Sequence, residues 1–422
     1  LITEADRAEL QLAADKGADF VAASFVRDAE DVYKIVDKLD EFGGGNIPVI
    51  AKIERAGAVE NLEEIISAAD GVMVARGDLG VECPLEDVPV IQKRIIKNCV
   101  DAGVPVITAT EMLDSMIHSR RPTRAEASDV ANAVLDGTDA VMLSGETAIG
   151  DHPVRVVETM VDIVEGVEAT DEYAEEVEQR VPGAKDQSRT EALARSARYL
   201  ARDIGASAVV AASESGYTAR KTAKFRPQVP ILATTPNDRV RRQLALVWGV
   251  IPRYCEYKVN VETILEGSVQ KAIDAGAAES GDTVVAISGM MSNLERSQTT
   301  NMLKVHVAAE QIANGKQIVG GRVAGPLVRL DDGDLSDVPE GAIVSLSADF
   351  DGEFSGDMTS IGGIVDTRDG MTGYPAVIAR ELGIPMLSSA TIPEEIDDGE
   401  TISLDAERGI VFEGDVRRTP RR

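Results

Sequence analysis

The feature that most constrains the fold is a phrase that recurs along the first part of the chain. A helical stretch ends in a small or acidic residue and a glycine, an apolar run follows, and the run ends in polar residues. Asp15-Lys16-Gly17 precedes the run 20–25, Ala69-Asp70-Gly71 the run 72–78, Asp101-Ala102-Gly103 the run 104–110, and Leu135-Asp136-Gly137 the run 140–146. Glycine suits a helix C-terminus, and an unbroken apolar run suits a strand covered on both faces. With the run 48–54, the phrase predicts about five βα units on a parallel sheet. An eight-stranded barrel needs more, so the expected fold is a partial (β/α)8 TIM barrel whose first strands lie upstream.

Two further textures follow. Residues 171–187 are acidic and then broken by Pro182-Gly183, which reads as a domain junction. A second α/β pattern has strands over 208–213, 229–235, 282–288 and 303–307, with helices over 191–203 and 261–275. Near Gly320 the pattern shifts to short strands rich in Gly and Asp, such as 342–347 and 409–414. The expected division is a partial barrel over 1–172, an α/β sandwich domain over 173–316 and a small α+β swivelling domain over 317–422.

Composition narrows the function classes. Of 422 residues, 72 are Asp or Glu against 43 Lys or Arg, a formal charge of −29. Such charge disfavours nucleic acid and anionic membranes as partners. It also resembles proteins of salt-accumulating cells such as halophilic archaea, where ionic strength screens self-repulsion. No apolar stretch approaches the length of a membrane span. The start Leu1-Ile2-Thr3-Glu4 lacks the basic and apolar parts of a signal peptide, and reads as a cut inside a longer protein. Cys83, Cys99 and Cys255 have no paired spacing, so neither a disulfide framework nor a structural zinc site is expected, and a reducing cytoplasm fits.

The polar ends of the apolar runs carry the chemistry. In Ile50-Ala51-Lys52-Ile53-Glu54, the strand period of two puts Lys52 and Glu54 on one face. The other runs end in Ser24, Arg76-Gly77-Asp78, Thr110 and Ser144-Gly145-Glu146, and barrel active sites lie at that end of the strands. A structural salt bridge would explain Lys52 with Glu54 alone, but not the whole convergent set. Glu54 and Asp78 supply hard oxygen ligands of the kind magnesium takes. Gly77-Asp78-Leu79-Gly80 would open a short helix whose bare N–H groups face a carboxylate. Metal, lysine and helix start together suit a small polyanionic substrate and phosphoryl transfer.

At these residues the chain resembles the pyruvate kinase family. The likeness is carried by 50–59, with Lys52-Ile53-Glu54 at its centre, and by Met73-Val74-Ala75-Arg76-Gly77-Asp78-Leu79-Gly80 and Ala109-Thr110-Glu111-Met112-Leu113. Arg121-Pro122-Thr123-Arg124-Ala125-Glu126, Met142-Leu143-Ser144-Gly145-Glu146-Thr147, 244–250 and 301–307 extend it. Gly57 departs from the polar or acidic residue usual there. The resemblance implies phosphoryl transfer from phosphoenolpyruvate to ADP, giving pyruvate and ATP. Glu54 and Asp78 would hold Mg2+ or Mn2+, and Lys52 the transferring group. Gly77 and Asp78 would bind the substrate carboxylate through their N–H groups, with Ser24 and Thr110 also at the substrate, while Thr110, Ser144 and Glu146 serve the proton transfer. Arg121 and Arg124 would order a subunit contact and the substrate helix. The ligands of a potassium ion, the lid domain and a phosphoryl-binding arginine would lie upstream, leaving the given chain incomplete for activity. A cytoplasmic homotetramer is implied.

Other signals are weaker. The loop of Ser213, Ser215, Gly216 and Thr218 would hold a phosphorylated effector or be a plain strand-to-helix turn; the family's second effector loop falls at 292–298, here without glycine. Trp248 and the three histidines read as structural. The third segment resembles the phosphohistidine swivelling domain of phosphoenolpyruvate-using enzymes through 370–377 and 379–385, with Tyr374 in place of the phosphorylated histidine, which points to a structural or assembly role. A magnesium-dependent lyase or aldolase acting on pyruvate enolate would share Glu54 and Asp78, but Lys52 and the second α/β pattern argue against it. A fragment with an assembly role alone is the non-enzymatic alternative.

The acidic excess has a measurable consequence. Raising KCl from about 0.1 M to about 1 M shortens the Debye length from about 10 Å to 3 Å. The thermal midpoint should rise by several degrees over that range, and a midpoint insensitive to salt would contradict the self-repulsion reading.

Overall fold

The computed structural model describes residues 2–179, 188–256, 261–289, 300–309, 311–350, 352–370 and 372–416. The junction Pro182-Gly183 and the loop 292–298 lie outside them. The five expected parallel strands are present as β1 (Val21–Ala23), β2 (Val49–Ile53), β3 (Gly71–Ala75), β4 (Val106–Ala109) and β5 (Ala140–Val141), in the order β1-β2-β3-β4-β5. Each strand is shorter than its apolar run. Past Ala75 the chain enters the helix Arg76–Glu82, and past Ser144 the helix Gly145–Ala148.

Alternation along β2 shows how the layers form. Val49, Ala51 and Ile53 belong to a core with Val72, Val74 and Val106 of the neighbouring strands and with Leu39, Leu62, Ile65, Ile95 and Ile96 of the covering helices. Ile50 instead packs with Met73 and Ile107 on the opposite face. Burying each such side chain contributes about 1.5–3 kcal/mol. Three of the four expected glycine caps hold: Gly17, Gly103 and Gly137 end helices in the left-handed conformation. Gly71 does not cap a helix; it opens β3, where a Cβ would lie 3.2 Å from Cγ1 of Ile50, so its role is close strand approach.

A second sheet has β6 (Ala208–Ala212), β7 (Ile231–Thr235), β8 (Val250–Tyr254), β9 (Asp282–Ser288) and β10 (Met302–Ala308) in the order β10-β9-β6-β7-β8. β8, parallel to β7, falls in a stretch with Pro252 and Arg253 that gives little strand signal. The last sheet joins β11 (Gln311–Asn314), β12 (Lys316–Val319), β13 (Arg322–Leu330), β14 (Ala342–Leu346), β15 (Ile361–Asp366), β16 (Met386–Ser388), β17 (Thr401–Asp405) and β18 (Ile410–Glu413). Its order is β11-β18-β17-β13-β14-β15-β16-β12. β13 to β16 run parallel, and their flanks are antiparallel.

Contacts divide the chain into two compact units, one of 1–199, 211–261 and 287–303, the other of 200–210, 262–286 and 304–422. Within the first, Asp139 is buried against Arg226 at 3.1 Å and accepts from the Val106 and Trp248 N–H groups. Burial pushes the Asp139 carboxyl pKa up, and the Arg226 charge and the backbone donors pull it back. Arg226 also stacks over Trp248 at 4.6 Å, and Trp248 Nε1–H donates to the Tyr173 hydroxyl at 2.9 Å, so this tryptophan is structural here. In the other unit Tyr374 opens the helix Tyr374–Leu382, its ring 5.9 Å from that of Phe354.

Glu191 tests the electrostatics of the first unit. Burial acts to raise its pKa, but hydrogen bonds from Lys224 and the Ser188 N–H, with the Lys221 charge, pull it from 4.5 to about 2. A depressed carboxylate stabilises the fold above its unfolded pKa and less as pH falls through the folded one. Glu191→Gln should therefore cost about 1 kcal/mol near neutral pH, allowing for solvent screening. In urea titrations the gap to the parent should close as pH falls from 4.5 towards 2; a gap independent of pH would show that the charge is not involved.

Candidate active site

Strand register brings the expected residues to one end of the first sheet. Ala23 pairs with Ala51, which puts Ser24 beside Lys52; Ile53 pairs with Val74; Ala75 pairs with Ala109, which puts Arg76 beside Thr110. Lys52 Nζ lies 2.6 Å from Glu54 Oε1 and donates to Ser24 Oγ at 2.9 Å. Glu54 is only 1% exposed, and its Oε2 accepts the Phe25 N–H at 2.6 Å. The carboxylate is thus out of water yet fully engaged, as a buried charge requires.

Gly77 and Asp78 lie in the first turn of Arg76–Glu82, as the sequence suggested, and Asp78 is exposed. The Gly77 N–H donates to Thr110 Oγ1 at 2.9 Å, and that hydroxyl donates in turn to the Ala109 carbonyl at 2.7 Å. Thr110 and Glu111 both have positive φ, 65° and 54°, which costs a non-glycine residue about 1–2 kcal/mol. Arg76 sustains the turn: its Nε donates to the Ala109 and Thr110 carbonyls at 3.2 Å, its Nη2 to the Thr110 carbonyl at 2.6 Å, and its Nη1 pairs with Asp129. Sequence reasoning passed over this bracing role of Arg76. The strained turn leaves no trace in composition or period.

Glu146 is 2% exposed and holds two backbone donors, the Leu113 N–H at 3.2 Å and the Ser144 N–H at 2.7 Å. Thr123 and Glu126 form a capping box on the helix Arg124–Asp136, and Glu126 also accepts from Ser115 N–H and Oγ–H at 2.7 and 2.6 Å. Gly57 has open space about its Cα, so no packing demand explains it. The effector-type loop is held from within: Thr218 N–H donates to Ser213 Oγ at 3.3 Å, Thr218 Oγ1 meets Thr300 Oγ1 at 2.8 Å, and Gly216 takes φ 74°. His118 meets Asp151 at 3.1 Å, Arg120 donates to His152 at 3.4 Å, and burial lowers the His306 pKa.

Five parallel strands that end in a lysine–carboxylate pair, a second carboxylate and a braced threonine define a barrel-type phosphotransferase. Comparison with known proteins gives the family. Residues 1–157 match the pyruvate kinase barrel domain, 191–306 the pyruvate kinase alpha/beta domain, and 338–409 the mobile domain of PEP-utilising enzymes. The chain is 41% identical over 418 residues to the pyruvate kinase of Sporosarcina psychrophila, and 40% over 416 and 41% over 417 residues to those of Bacillus licheniformis and Geobacillus stearothermophilus. Each match covers 98% of this chain and 70% of the relative. The chain belongs to the pyruvate kinase family, enzymes that transfer the phosphoryl group of phosphoenolpyruvate to ADP and that use Mg2+ and K+. Among the described residues, no helix is long and apolar enough to cross a membrane.

Removing the Glu146 acceptor should leave the buried Leu113 N–H and the half-buried Ser144 N–H without partners, at about 1–3 kcal/mol for a buried donor. Glu146→Leu is expected to lower stability by about 2 kcal/mol or more in urea unfolding. An unchanged midpoint would mean that the two donors find other partners.

Proposed function

We propose that Lys52, Glu54 and Asp78 form the charge clamp of this pyruvate kinase. The observation that carries the reading is the Lys52–Glu54 pair, 2.6 Å apart, with Glu54 buried at a strand end and Lys52 partly open. Phosphoryl transfer depends on positioning and charge neutralisation, and a lysine whose ammonium is fixed by Ser24 and Glu54 meets a developing negative charge without reorganising. The donor chemistry fits a divalent ion. Glu54 and Asp78 are hard oxygen donors, and among the described residues no group of three or more His, Cys, Asp or Glu could enclose a metal alone. A two-carboxylate set leaves positions for substrate oxygens and water, the pattern magnesium favours. When bound, the ion would neutralise charge on the substrate's enolate and carboxylate.

The remaining residues have supporting places. Ser24 orients Lys52. Thr110, held by Arg76 and by Gly77, stands where the enolate carbon gains its proton. Ser144 serves the proton transfer, with Glu146 gripping its N–H. The Gly77 N–H would pass from Thr110 to the substrate carboxylate, beside that of Asp78. The loop of Ser213, Ser215, Gly216 and Thr218 is a candidate phosphate-binding effector site, and Tyr374 has a packing role with Phe354. Three free cysteines and the acidic composition favour a cytoplasmic setting, and the family likeness a homotetramer.

In the full-length protein, Lys52→Met should lower kcat by about a thousandfold or more while the magnesium requirement stays near that of the parent. Glu54→Gln and Asp78→Asn should instead raise the magnesium concentration for half-maximal rate. Near-parental turnover of the lysine variant, or superimposable magnesium titrations for the other two, would remove those residues from the clamp.

A further inference from the structure

Phe25 combines properties that no packing role explains. It is 55% exposed, lies two residues past the end of β1, and takes φ 59°, a conformation that bulky side chains avoid. The residues on either side are tied down. Ser24 accepts from Lys52, Val26 is 1% exposed, and the Arg27 carbonyl accepts from Asn61 Nδ2 at 3.0 Å. The chain leaves the sheet at Phe25, at the point where its N–H meets Glu54 Oε2. The Arg55 guanidinium lies 5.0 Å from the Phe25 ring centroid, and Arg55 Nε is buried with no hydrogen-bond partner.

We propose that Phe25, clamped by the stacked Arg55, is a positioning residue for Glu54. Its left-handed backbone aims the N–H at Oε2, so that the carboxylate cannot rotate and Oε1 stays with Lys52. The ring supplies the surface on which Arg55 holds the turn. This rests on the reading that Glu54 is a metal ligand, and it assigns the orientation of that ligand to a main-chain donor and an aromatic–guanidinium contact.

The test separates backbone from ring. Asn tolerates the left-handed region and a β-branched residue does not, so Phe25→Asn and Phe25→Val lose the same ring but differ in the conformation they allow. In the 422-residue chain, Mn2+ binding followed by the electron paramagnetic resonance of the free ion should weaken about tenfold more in Phe25→Val than in Phe25→Asn. Arg55→Leu should fall between, with an unchanged thermal midpoint. Equal affinities in the two Phe25 variants would overturn the proposal. Should Phe25→Val fail to fold, parental Mn2+ affinity in Arg55→Leu would overturn it instead. Glu54→Gln serves as the reference: if it too binds Mn2+ as the parent does, the metal reading has failed, whereas weakened binding there beside indistinguishable Phe25 variants condemns the positioning role alone.

Discussion

The site depends on one physical constraint: a carboxylate, Glu54, that is nearly out of water at the end of a strand. A buried charge persists only when paired and hydrogen-bonded, and removing one partner from such a pair is costly. The strand period of two sets one partner of Glu54, and the β1–β2 register sets the other. Lys52 comes from the same strand face two residues back, and the Phe25 N–H comes from the end of β1. A slip of one residue would turn Lys52 towards the helix layer and Ile53 towards the polar end. The apolar alternation of β2 therefore does two jobs, filling the core and fixing which atoms meet Glu54.

The opposite ends of the strands use a repeated device that holds the register. Asp70 and Asp139 each stand just before a strand, and each donates its own N–H to the previous strand while its side chain takes an N–H back. Asp70 N–H donates to the Val49 carbonyl and Asp70 Oδ2 accepts the Val49 N–H; Asp139 does the same with Val106. At Asp139 the carboxylate also meets Arg226, so the start of β5 is tied to residues 226 and 248 of the same unit. Buried ion pairs add little net stability but are costly to break. Here the pair defines a single register for the strands whose far ends carry Thr110 and Ser144.

Much of this was legible in the sequence. Unbroken apolar runs mark the five strands, and the period of two alone places Lys52 and Glu54 on one face. Strand ends were less legible: runs 72–78 and 140–146 look continuous, yet the chain turns into helices at Arg76 and Gly145; at Arg76 the side chain is held by Ala109, Thr110 and Asp129, partners distant in sequence. The glycine phrase misled at Gly71, where tight strand approach, a tertiary demand, selects the same residue as a helix cap. Phe25, Thr110 and Glu111 were illegible as turns, since aromatic, β-branched and acidic residues give no sign of positive φ. Their conformations are imposed by contacts distant in sequence, and β8 likewise is a strand despite Pro252 and Arg253.

These left-handed residues lie at the proposed site, past the ends of β1 and β4. Backbone strain of about 1–2 kcal/mol per residue persists only where surrounding contacts over-determine the geometry. Glu54 and Arg55 do so for Phe25; Arg76 and Gly77 do so for Thr110. In both cases the strained residue directs a polar group, the Phe25 N–H or the Thr110 hydroxyl, at a place the ordinary strand geometry would not reach. Phosphoryl transfer offers the protein little covalent work and rewards fixed charges. On the proposed reading, the stability given up at these turns is the physical cost of holding charged and hydroxyl groups still before the substrate arrives.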